Sequence, residues 1–322
     1  MTAVNLDAVQ AALATVKDPE IHRPITDLGM VDNVDIDPNG HVTVAILLTI
    51  AGCPLQSSIR DSVISAVSRV EGVTAVDVTL GVMTDEQRRA MRQKLQGPGA
   101  QKDIPFNKPG NHTTVYAVTS GKGGVGKSST TVNLAATLAK RGFSVGILDA
   151  DIYGHSIPPM LGSTMPPTKV DDMMMPPEAH GVKCISIAQF TAGNAPVVWR
   201  GPMLHRALQQ FLTDVYWGDL DFLLLDLPPG TGDIALSIPS LLPNSQLLIV
   251  TTPQTAAAEV AERSGMMAAQ TKQKVVGVIE NMSWMELPDG STVEMFGNGG
   301  GMTVAMDPVS YTHLRAHETR HD

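Results

Sequence analysis

Apolar residues recur at helical spacing at the start of the chain, where Leu6, Val9, Leu13 and Val16 predict an amphipathic helix over residues 5–16. Two runs of strand character follow, MVDNVDID and HVTVAILLTI, with the turn PNG between them. In CPLQSSIRDSVISAVSRV the period returns to that of a helix. Leu55, Ile59, Val63, Val67 and Val70 form its stripe, and Pro54 suits its first turn. The run VTAVDVTL adds a strand, and the polar DEQRRAMRQKLQ predicts a helix leading out. Residues 1–96 therefore predict a small α/β domain.

Residues 97–112 are rich in Pro and Gly and lack periodicity, which predicts a linker. Beyond them the pattern becomes apolar strand, glycine-marked turn and helix, several times over. The strands expected are TVYAVTS, FSVGILDAD, GVKCISI, DFLLLDLP, QLLIVTTP and KVVGVIEN. Runs this apolar are buried on both faces, as in a parallel sheet covered by helices. The predicted class is α/β, a doubly wound, mainly parallel sheet over residues 113–308 preceded by the small α/β domain. The run MMM at 173–175, set between acids and prolines, reads as a mobile loop, and Cys184 inside GVKCISI reads as core.

Composition narrows the function classes. The chain of 322 residues carries a net charge of −9. The first 96 residues hold 8 Lys/Arg against 12 Asp/Glu, and the rest hold 15 against 20. Neither part offers a basic face for nucleic acid or anionic lipid. No signal peptide, membrane-length apolar run or disulfide framework is legible, which predicts a soluble cytoplasmic protein without membrane or nucleic-acid partners.

Residues 121–128, GKGGVGKS, match G-x-x-x-x-G-K-[ST] between a strand and a helix, the setting of a P-loop NTPase. Glycines let successive N–H groups turn around phosphate oxygens, and the helix adds its N-terminal dipole. Gly121, Lys122, Gly123, Gly124, Val125, Gly126, Lys127, Ser128 and Ser129 are thus the expected ATP-binding residues. Lys127 is expected on the β/γ-phosphates, and Ser128 and Asp226, which ends an apolar strand, on Mg²⁺. Asp149 and Asp151, at the end of a neighbouring strand, are expected to serve water activation and metal support. Lys122 is one cation more than the loop needs. Flanked by glycines, it does not readily fold back onto the phosphates that Lys127 serves. It is expected to reach the nucleotide of a second subunit, in the manner of an arginine finger, which predicts a homodimer.

The early lysine in KGGVGKS resembles that of the signature-lysine, or deviant Walker A, ATPases. LDADIYGHSIPPMLG, LLLDLPPGTGD, IENMSW and FGNGGG point to their Mrp-type iron–sulfur cluster carriers. DPE at 18–20, DLGMV at 27–31 and AGCPL at 51–55 look like the iron–sulfur assembly domain fused to bacterial members. The resemblance implies an ATPase that carries iron–sulfur clusters to apoproteins, with assembly proteins as further partners. By position, Asn281 resembles the family's adenine-contacting asparagine. Two other readings stay open: a positioning or partition-type signature-lysine ATPase, and a nucleotide-binding scaffold for cluster assembly. Cluster-holding members carry C-x-x-C between NMS and FGxGGG, and this interval, WMELPDGSTVEM, has no cysteine. That leaves the cluster itself open as a cofactor. Cys53, ahead of a predicted helix, is the candidate iron or cluster contact, with capping as its alternative. Residues 309–322 show no period and are expected to be a non-native tail that packs against nothing, with the sheet edge left uncovered.

Overall fold

The computed structural model describes residues 4–49, 55–96, 103–151, 154–163, 165–190, 201–230, 232–306 and 312–315. Cys53 and Pro54 lie outside the described residues. The chain divides into two compact units, one of Met1–Gln101 with Thr168–Met175, the other of Lys102–Pro167 with Pro176–Asp322.

In the first unit, helix α1 (Leu6–Ala14) is capped by Asn5, whose side-chain oxygen accepts the Asp7 N–H at 2.9 Å. Val9 and Leu13 are fully buried, whereas Leu6 stays 45 % exposed in the first turn, so the expected stripe is one residue shorter. Strand β1 (Val31–Ile36) pairs antiparallel with β2 (His41–Leu48). Alternate residues of β2, Val42, Val44, Ile46 and Leu48, are buried, as a sheet with one covered face requires. Helix α2 (Gln56–Val67) buries Ile59, Val63 and Val67, strand β3 (Ala75–Val82) runs parallel to β2, and α3 (Asp85–Gln96) closes the run.

The second unit begins with β4 (Thr114–Ser120), α4 (Lys127–Lys140), β5 (Val145–Asp149) and the single turn α5 (Ile157–Met160). The next two strands, β6 (Thr168–Val170) and β7 (Met173–Met175), form a hairpin that belongs to the first unit. Its turn places Asp171 at φ 56°, a left-handed conformation that Asp tolerates. Val170, Met173 and Met175 are buried to 1 % exposure. Arg92 bonds Asp171 at 3.0 Å, and Thr168 donates to Glu20 at 3.1 Å. The mobile loop expected for these methionines is therefore corrected to a packed hairpin, and eight residues inside the 113–308 span fold with the first unit.

The remaining elements are β8 (Glu178–Ala179), β9 (Val182–Ser186), α6 (Gly201–Thr213), β10 (Phe222–Asp226), α7 (Asp233–Leu241), β11 (Gln246–Thr251), α8 (Thr255–Gln270), β12 (Lys274–Glu280), the small pair β13 (Met285–Glu286) and β14 (Thr292–Val293), α9 (Gly300–Met306) and β15 (Thr312–Arg315). The large sheet has the order β15-β12-β11-β4-β10-β5-β9-β8, parallel throughout except for β8 at its edge. From β4 the chain winds out through β5 and β9, returns to insert β10 beside β4, then runs to the other edge. This is the doubly wound α/β class the apolar runs predict. Cys184 is fully buried beside Val145, Ile147 and Leu224, as expected of core. Burial pushes its thiol far above the usual range. Among the described residues no helix is long and apolar enough to cross a membrane.

The last strand corrects the expectation that the tail packs against nothing and leaves the sheet edge uncovered. Thr312–Arg315 pairs in parallel with β12, Gly277 opposite Thr312 and Glu280 opposite Arg315. Backbone pairing asks for free N–H and C=O groups rather than a side-chain period, so an aperiodic segment can still add to an open edge.

The hairpin yields a stability prediction. Met173→Ala or Met175→Ala removes a fully buried side chain and should destabilise the first unit by roughly 2–5 kcal/mol. Hydrogen exchange across α1 and β2 measures this; rates equal to wild type would mean the hairpin contributes nothing to that core.

Candidate functional site

The site is assembled at the carboxyl ends of β4, β5 and β10, where ligands bind in open α/β sheets. Register brings the carboxylates level, since Asp226 pairs with Asp149 on one side and Val118 on the other. After β4 the loop turns through Gly124 at φ 80° and Gly126 at φ 83°, the latter being the N-cap of α4. The first bond of that helix runs from Thr130 N–H to the Gly126 carbonyl at 2.9 Å. The N–H groups ahead of it have no partner within the helix and face the loop. A Cβ at Gly123 or Gly124 would meet nothing within 4 Å, so the cradle is open there. At Gly121 a Cβ would sit 2.6 Å from the Val260 carbonyl carbon, so the loop starts hard against the backbone of α8.

Asp226 is the floor of the site and is fully buried. One carboxylate oxygen accepts the Lys127 ammonium at 2.7 Å and the Ser128 hydroxyl at 2.7 Å. The other accepts the Thr131 hydroxyl at 2.8 Å. A buried carboxylate is costly without such partners, and here both oxygens have them. Thr131 was missed in the sequence. The signal was there, since it stands one helical turn after Lys127 and so shares its face.

Asp149 and Asp151 part company. Asp151 lines the cavity, 3.8 Å from the Lys127 nitrogen, and accepts the Gly154 N–H at 2.9 Å. Asp149 is fully buried behind it. Its carboxylate accepts the Ser186 hydroxyl at 3.0 Å and the N–H groups of Asp151 at 3.2 Å and Ile157 at 3.4 Å. Burial, then the nearby Asp226 charge, push its pKa up to about 6, against the opposing pull of those donors. The pair expected to face a ligand is thus one facing carboxylate and one that holds the loop carrying it.

The cavity above this floor measures about 730 Å³. Lys122, Gly123, Gly124, Gly126, Lys127, Ser128 and Ser129 line it, whereas Gly121 and Val125 do not. Val125 is buried against Val118 and Val250. Asn281 is also absent from the lining: 1 % exposed, it donates to the Val125 carbonyl at 3.0 Å, while its own side-chain oxygen has no hydrogen-bond partner. In this structure it braces the loop from behind, and its amide would collide with any side chain at Gly126. Lys122 bonds the Gln254 side-chain oxygen at 2.9 Å.

A family model described as NUBPL iron-transfer P-loop NTPase matches residues 111–314, and one described as iron-sulfur cluster assembly protein matches residues 6–96. A protein of Mycobacterium tuberculosis named iron-sulfur cluster carrier protein is 63 % identical over 298 residues, covering 92 % of this chain and 78 % of that protein. One of Bacillus subtilis with the same name is 42 % identical over 301 residues, covering 93 % and 84 %. Among solved structures, a nucleotide-binding protein from Archaeoglobus fulgidus in complex with ADP is 35 % identical with a TM-score of 0.56, covering 74 % of this chain and 87 % of that one. The chain belongs to the NUBPL-type family of iron-transfer P-loop NTPases.

The Asp149 environment predicts a pH dependence. Its folded value of about 6 lies above the unfolded 3.8, so the stability it contributes is full below the unfolded value and is lost as pH rises through about 6. Asp149→Asn carries no charge at any pH. Its unfolding free energy relative to wild type should rise between pH 4 and pH 7 by on the order of 1–3 kcal/mol. Denaturant titrations at both pH values measure the difference, and a difference independent of pH would refute the assignment.

Proposed function

We propose that this member of the family is an ATP-binding and ATP-hydrolysing carrier that delivers iron–sulfur clusters to apoproteins in the cytoplasm, working as a homodimer with assembly proteins as partners. The observation that carries the reading is the Asp226 floor: a lysine, two hydroxyls and a carboxylate gathered under an open, glycine-walled cradle. The names of the relatives supply the cargo.

The donor chemistry fits a hard divalent cation, because a carboxylate and a hydroxyl oxygen already meet at 2.7 Å and a cationic nitrogen rests on the same oxygen. Ser128 and Asp226 would hold Mg²⁺, which when bound neutralises charge on the β- and γ-phosphates. Lys127 then leaves Asp226 and binds phosphate oxygens, exchanging one anionic partner for another. The N–H groups at the start of α4 would donate hydrogen bonds to the remaining phosphate oxygens. Asp151, facing the cavity, would orient the water whose oxygen attacks the γ-phosphorus; the bond to the bridging oxygen breaks, ADP leaves with that oxygen, and the water's proton passes to the released phosphate. Asp149 fixes the Asp151 backbone and so acts on the water only indirectly. Lys122 stabilises transition-state charge in the partner subunit. The cluster is cargo, and Cys53 is its proposed contact.

Anaerobic reconstitution with iron and sulfide, followed by transfer to an apoprotein with and without ATP, tests the whole reading. Wild type should take up iron and transfer it in an ATP-dependent way. Lys127→Ala should lose ATP binding at least about 100-fold, since it removes the phosphate cation. Cys53→Ser should lose most of its iron–sulfur absorption while still binding ATP. Undiminished absorption in Cys53→Ser would remove that residue from the cargo site, and ATP-independent transfer would remove the ATPase from the carrier cycle.

A further inference from the structure

Lys122 is positioned more tightly than a surface lysine needs to be. Its carbonyl accepts the Ser120 hydroxyl at 3.0 Å. The preceding glycine is pressed against α8, where a Cβ would lie 2.6 Å from the Val260 carbonyl carbon and 2.7 Å from the Ala261 nitrogen. The backbone is thus held, and only the side chain is free to travel. Its nitrogen rests on the Gln254 side-chain oxygen at 2.9 Å. Gln254 stands immediately before α8, its carbonyl accepting the Ala257 N–H at 2.8 Å, and its side chain makes no capping bond to the helix. No ion pair among the described residues involves Lys122.

The chemistry of this contact is that of a holding place. A neutral amide oxygen in contact with water binds an ammonium weakly, whereas a phosphate binds it through full charge as well. A carboxylate at the same position would hold the lysine harder. An amide is the acceptor suited to keeping a cation ordered yet available.

We infer that Gln254 is a positioning residue that parks Lys122 in the unpaired chain, and that ATP-dependent pairing of two copies exchanges this bond for the phosphates of the partner's nucleotide. The inference rests on the reading of Lys122 as a lysine that acts across the dimer. Each pairing event breaks two such bonds, one per chain. Loss of the bond should therefore favour pairing, and strengthening it should oppose pairing.

The test uses the full chain with Mg·ATP, following association by sedimentation and turnover by phosphate release over a range of protein concentrations. Gln254→Ala should lower the concentration for half-association by about 5-fold, the equivalent of two hydrogen bonds at the weak end of their range. Gln254→Glu, which makes an ion pair, should raise it by a similar factor. In both variants turnover at saturating protein concentration and KM for ATP should stay within about 2-fold of wild type. Opposite shifts from the two substitutions are not expected of a merely structural residue. Lys122→Ala is the control and should weaken association and turnover while the single chain still binds nucleotide. If Lys122→Ala behaves this way but both Gln254 variants associate as wild type does, the parking role is overturned and the dimer reading stands. If Lys122→Ala matches wild type, or loses nucleotide binding in the single chain, the dimer reading fails and the inference falls with it.

Discussion

The buried carboxylate of Asp226 is the constraint on which the site depends. It ends a strand inserted between β4 and β5, so it lies below the loop that follows β4 and beside the carboxyl end of β5. A charge this deep must be matched, and the first two turns of α4 provide the match through Lys127, Ser128 and Thr131. These bonds fix the start of α4 over the sheet, and with it the N–H groups of its first turn. The same oxygen that receives the lysine is the one proposed above to hold a divalent cation.

Asp149 shows what that arrangement costs its neighbour. Two carboxylates level on adjacent strands cannot both be charged cheaply, and the one without a cationic partner is the one whose acidity falls. It is retained as a hydrogen-bond acceptor for the loop that carries Asp151 and for Ser186 on the next strand. Asn281, just after β12, braces a different segment, the glycine-rich loop after β4, by donating to the Val125 carbonyl. Glu280, next to it, accepts the Gly301 N–H at 2.6 Å and thereby ties the FGNGGG segment to the end of β12. The glycine-rich loop is thus braced by Asn281 from behind, and the helix that follows it by Asp226 from below.

Much of this was legible in the sequence because burial leaves a period. The six apolar runs became six sheet strands, and the loop motif with its following helix was readable from glycine and lysine spacing alone. Signals failed where burial is brief or comes from backbone. The hairpin of β6 and β7 has strands of three residues, too short to display alternation, and three consecutive methionines hide which two are inside. Strand β15 joins an edge through its backbone, which its side chains do not announce. Leu6 has helical spacing but lies in a first turn that the core does not reach. The split between Asp149 and Asp151 is invisible to spacing, because two carboxylates two residues apart read alike until the donors around each are known.

Calorimetric titration of ATP into wild type and Asp226→Asn, each with Mg²⁺ and with EDTA, tests the role of Asp226 most directly. Asparagine still offers an acceptor to Thr131 but no charge to a cation. The account predicts that Mg²⁺ strengthens ATP binding to wild type by at least about tenfold, and that Asp226→Asn loses this gain while keeping its Mg²⁺-free affinity. An Asp226→Asn chain with the wild-type Mg²⁺ dependence and wild-type turnover would contradict it.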